Sequence, residues 1–76
     1  MNLGVRLTAW REYAGYTQSK LASILGLTRS AVWQWEEGRT NPGSKHVAAA
    51  VDAFGISMER FYGPLPRAKT RKGRAA

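Results

Sequence analysis

Glycine stands at positions 15, 26, 38, 55 and 63, and each follows a stretch of helical apolar spacing. Glycine enters the left-handed conformation that closes a helix, so this rhythm reads as a series of helix ends. Thr17, Thr28, Ser44 and Ser57 fall just after the breaks, where a hydroxyl can cap the first free N–H groups of the next helix. A chain punctuated this often has room only for short helices. The pattern predicts five of them, over about 3–14, 18–25, 29–37, 45–54 and 58–62.

The apolar positions agree. Leu3, Leu7, Trp10 and Ala14 form one stripe, Leu21, Ala22 and Leu25 the inner face of the second helix, and Val47, Val51 and Phe54 that of the fourth. Phe61 anchors the fifth, and Ala48, Ala49 and Ala50 are expected to keep the fourth slim enough for close packing. No alternating strand pattern or repeat is visible. The fold class is all-α, with residues 1–63 as one folded unit and 64–76 as a basic tail expected to be disordered.

Composition narrows the function. The chain of 76 residues has no cysteine and one histidine, which leaves no disulfide framework and no metal cluster. No apolar run is long enough to span a membrane, and Arg6, Arg11 and Glu12 break any signal-peptide layout, so a soluble cytoplasmic protein is expected. His46 has no nucleophile or acid that spacing would unite with it, and the adjacent Glu36 and Glu37 point in different directions, so no enzyme is expected. The net charge of +7 suits a polyanion, nucleic acid before an anionic membrane. Yet Arg67, Lys69, Arg71, Lys72 and Arg74 carry five of those charges, which leaves +2 on residues 1–66.

Function concentrates in residues 17–38, TQSKLASILGLTRSAVWQWEEG, where two short helices flank a turn at Gly26. On a wheel of about 100° per residue, Ala31, Val32 and Trp35 share one arc. Arg29, Ser30, Trp33, Gln34 and Glu37 share the opposite one. The second arc is either a solvated polar face or a base-reading one: arginine matches guanine O6 and N7, glutamine matches adenine N6 and N7, and Glu37 can accept from cytosine N4. Trp33 on that arc either meets DNA or packs against the turn or a subunit partner. Lys20 opposes the helix dipole in the first turn of its helix, a defect that a phosphate contact would explain.

The segment resembles the phage repressor and Cro-type helix-turn-helix family (XRE-like) in Thr17-Gln18, Leu21-Ala22, Gly26, Val32, Trp35-Glu36, Gly38 and Pro42, and the five-helix layout extends the likeness over about residues 3–62. The resemblance implies a DNA-binding transcriptional regulator, a repressor, acting without a cofactor. A homodimer on a palindromic operator, with the third helix in the major groove of double-stranded DNA, is the family expectation. It implies base reading by Arg29, Ser30, Trp33 and Gln34. It implies backbone contacts from Gln18, Lys20, Thr28, Arg39, Thr40, Asn41 and Lys45, and a structural pair between Arg11 and Glu36. Arg29 stands where many members carry an amide, which points toward guanine. An antitoxin or adaptor acting through a protein partner shares this fold, with Phe61, Tyr62, Leu65 and the tail as its open surface. A non-specific binder driven by the tail is the other alternative.

Overall fold

The computed structural model describes residues 2–66. They form α1 (Leu3–Tyr13), α2 (Gln18–Leu25), α3 (Arg29–Glu36), α4 (Ser44–Phe54) and α5 (Met58–Tyr62), with no strand among the described residues. The basic run from Arg67 onward lies outside them.

Side chains cap four of the five helix starts. Asn2, Thr17, Thr28 and Ser57 accept hydrogen bonds from the N–H groups of Val5, Lys20, Ala31 and Arg60 at 3.0–3.2 Å. The expected cap at Ser44 is corrected: Gly43 holds that position with no side-chain bond, and Ser44 is already inside α4. Gly26 closes α2 with φ 73°, the left-handed geometry that turns the chain toward α3. Gly63 departs from this pattern, with φ −86° and ψ −155°. The end of α5 is tied down from outside, because Arg6 Nη1 donates to the carbonyls of Phe61 and Gly63 at 2.8 and 2.6 Å.

Leu7, Trp10, Leu21, Ala22, Val32, Trp35, Val47, Ala50, Val51, Phe54 and Phe61 make a single core. α3 packs on α1 and α2, α4 on α2, and α5 on α1 and α4. Leu3, Ala14 and Leu25 sit at the rim of that core. Of the three alanines, only Ala50 is buried; Ala48 and Ala49 face solvent, since a helix turns about 100° per residue and three consecutive positions cannot share its inner face. Phe61 is 0% exposed, so it is a core residue and cannot belong to an open partner surface. Tyr62 and Leu65 remain exposed.

The backbone of α1 comes close to the end of α3 at Gly4. A methyl group placed on Gly4 would lie 2.5 Å from the Trp35 carbonyl oxygen and 2.8 Å from that of Glu36. Both neighbours are backbone, so relief requires moving a helix. We predict that Gly4→Ala destabilises the domain by about 1–3 kcal/mol from overpacking. Alanine's helix propensity, better than glycine's by about 1 kcal/mol, only partly offsets this. Urea denaturation measures it; equal or higher stability would show that α1 can slide without cost.

Candidate nucleic-acid interface

α3 is fixed at both ends. At its start, the Leu27 N–H donates to the Ala22 carbonyl at 2.8 Å, closing the turn, and Thr28 Oγ1 accepts from the Ala31 N–H. At its far end, Glu36 turns its carboxylate inward, with its side chain 4% exposed. Arg11 on α1 grips that carboxylate with two bonds, Nε to Oε2 at 2.7 Å and Nη2 to Oε1 at 3.1 Å. Arg11 Nη1 donates to the Tyr16 carbonyl at 2.8 Å, so the loop after α1 is held by the same guanidinium. A forked arginine–carboxylate pair is both strong and directional.

The network continues outward. Gln18 Nε2, at the start of α2, donates to Glu36 Oε1 at 2.9 Å, and Gln18 Oε1 accepts from Arg29 Nη1 at 3.2 Å. This fixes the amide's orientation, because the flipped form would set its oxygen against a carboxylate. A line of hydrogen bonds therefore runs from buried Arg11 through Glu36 and half-buried Gln18 to exposed Arg29. Sequence reasoning pointed to Gln18 and Arg29 separately; their contact depends on the angle between α2 and α3, which local spacing does not encode.

The outer face carries Arg29, Ser30 and Trp33, all exposed, and Gln34, half-buried. Gln34 Nε2 donates to Ser30 Oγ at 3.4 Å, one turn back along the helix. Trp33 does not pack into the core: it is 36% exposed, and the Arg39 guanidinium lies 5.1 Å from its ring centroid. That stacking was not legible in the sequence. Trp35, two residues on, is buried and lies 5.4 Å from the ring of His46.

The candidates for backbone contact lie on the elements and turns that flank α3 in the chain. Lys20 is exposed in the first turn of α2, and Thr28 is exposed with its own O–H left to donate after its oxygen accepts the cap bond. Arg39, Thr40 and Asn41 are exposed in the turn after α3, where the N–H groups of Arg39 and Thr40 donate to the Gln34 carbonyl at 2.9 and 3.4 Å. Lys45 is exposed in the first turn of α4, and Glu37 is exposed at the cap of α3, one residue past the helix end.

A family model described as a helix-turn-helix domain matches residues 2–60. The HTH-type transcriptional regulator YazB of Bacillus subtilis is 33% identical over 61 residues, covering 80% of this chain and 88% of that protein. The chain belongs to the helix-turn-helix family of transcriptional regulators. The prophage-derived regulator YonR of Bacillus subtilis is 32% identical over 56 residues, covering 74% of this chain. The match spans 52% of YonR, about half its length. The helix-turn-helix fold is shared with the P22 c2 repressor, solved in complex with a synthetic operator, at a TM-score of 0.69 and 26% identity over 80% of this chain and 92% of that one. ClgR of Corynebacterium glutamicum shares it at a TM-score of 0.73 and 24% identity, over 99% of this chain and 90% of that one. No helix among the described residues is long and apolar enough to cross a membrane.

Removing one partner of the buried pair leaves the other charged and desolvated without its forked counter-charge. Arg11→Ala or Glu36→Ala should therefore cost about 3–5 kcal/mol of folding stability. Thermal melts decide this, and unchanged midpoints in both variants would show that the pair does not hold α3.

Proposed function

We propose that this chain is a sequence-specific repressor that binds double-stranded DNA by seating α3 in the major groove and laying α2 across the backbone. Arg29, Ser30, Trp33 and Gln34 face the base edges. Gln18, Lys20, Thr28, Arg39, Thr40, Asn41 and Lys45 meet phosphates and set the register. Two copies bind a palindromic operator, and occlusion of the promoter represses transcription in the cytoplasm. The DNA-binding unit is residues 1–63, and the positive charge of the tail adds sequence-independent attraction.

The observation that carries this reading is the restraint on Arg29. A guanidinium on the outer face is tied through Gln18 to a carboxylate buried in the fold. Stability alone gives little reason for that arrangement, because an exposed arginine–amide contact contributes little. It is what a preorganised base reader needs: the side chain is aimed before the ligand arrives, which lowers the ordering cost of binding. The P22 c2 repressor, whose fold this chain shares, was solved on a synthetic operator, which supports the same use of the surface here.

Selection of bound duplexes from a random pool tests the proposal. One enriched palindrome is expected, bound by two copies. On that site, Arg29→Ala and Gln34→Ala should each weaken binding by roughly 1–3 kcal/mol per half-site and relax preference at one base pair. If either variant loses affinity equally for every sequence, that residue touches only the backbone. A pool that yields no preferred duplex would overturn the reading.

A further inference from the structure

Trp33 is out of place on the face it occupies. Arg29, Ser30 and Gln34 around it are polar, yet it presents an indole 36% exposed to solvent. It is not left loose. The Arg39 guanidinium covers one side of the ring, 5.1 Å from its centroid and within cation–π range. Arg39 is in turn anchored to the helix it braces, because its N–H donates to the Gln34 carbonyl at 2.9 Å. The guanidinium thus covers one side of the ring, and part of the apolar surface of Trp33 is still open.

The major groove offers such a surface little choice. Base edges there present hydrogen-bond donors and acceptors, and the one apolar group is a methyl on pyrimidine C5. Thymine carries it always, and cytosine carries it when methylated. Resting on the DNA-binding reading above, we propose that Trp33, braced by Arg39, is a reader of a pyrimidine C5-methyl group. A helix position four residues after Arg29 is offset from it by about 40°, so the methyl belongs to a base pair neighbouring the one Arg29 reaches. Arg39 is the positioning residue. Among the described residues no hydrogen bond engages the Arg39 guanidinium, so its N–H donors are open to a phosphate while the group lies over the ring. The pair thus couples one base contact to one backbone contact.

The test uses the full chain and the duplex selected from the random pool. Each thymine is replaced in turn by deoxyuridine, which removes only the methyl, and each cytosine by 5-methylcytosine, which adds one. At one position in each half-site, deoxyuridine should weaken binding about fourfold, the effect of losing one buried methyl, or 5-methylcytosine should strengthen it by a similar factor. The first result assigns the methyl to thymine and the second to methylated cytosine. Trp33→Ala should abolish the methyl effect at that position while keeping the preference set by Arg29, and Trp33→Phe should retain part of it. Arg39→Ala should shrink the methyl effect, which loss of a phosphate contact alone would not do. The proposal is overturned if no position is methyl-sensitive, or if the sensitivity persists in Trp33→Ala. A pool with no preferred duplex overturns the DNA-binding reading and this inference with it, and differs from a selected site that ignores the methyl.

Discussion

The carboxylate of Glu36 is the point on which the arrangement of the first three helices depends. It accepts two bonds from Arg11 on α1 and one from Gln18 on α2, while Glu36 itself ends α3. A buried carboxylate is costly unless its charge is matched and its oxygens are bonded, so it is satisfied only when all three helices are correctly placed. The backbone of the same residue adds a steric condition, since its carbonyl oxygen closes on Gly4. Electrostatics and packing therefore fix one crossing of α1 over the end of α3. Such a pair need not add net stability compared with a well-packed apolar substitute; what it supplies is a single orientation.

From that point the molecule grades outward. Trp10, Leu21, Val32 and Phe61 form a buried core; Arg11, Glu36 and Gln18 form a layer of directed bonds at its edge; Arg29, Ser30 and Trp33 stand outside. Each layer restrains the next. The outer groups are held by contacts with other polar or aromatic groups, Arg29 by Gln18 and Trp33 by Arg39. A surface built this way meets a ligand with little left to order, and a site supported by a bonded inner shell keeps its geometry better than one on a free loop.

Much of this was legible because its causes are local. Thr17, Thr28 and Ser57 cap where a hydroxyl ahead of an apolar period predicts, and Val32 and Trp35 take the inner arc of α3. Where the sequence misled, the deciding partner lay far along the chain or the period was read too loosely. Gly4 gives no local signal, since only the crossing of α3 explains why a methyl cannot sit there. Gly63 does not take the left-handed closing geometry, and its carbonyl is bound by Arg6, far away along the chain. Ser44 was one residue out of register with the start of α4, and Ala48 and Ala49 face solvent because a run of three has no single side. Phe61 read as both core anchor and open surface, and only its complete burial decides between them. The contacts of Gln18 with Arg29 and of Trp33 with Arg39 join residues that spacing marks one by one but cannot pair.

The central claim is that the face of α3 held by the Glu36 network is the face that meets DNA. A nitrogen-15 NMR titration of the chain with its selected duplex tests it most directly. The account predicts that amide shifts concentrate in residues 17–20, 28–34 and 39–45, and that the Arg29 side-chain signals move. Shifts concentrated instead around Val5, Tyr62 and Leu65, with α3 unmoved, would contradict it.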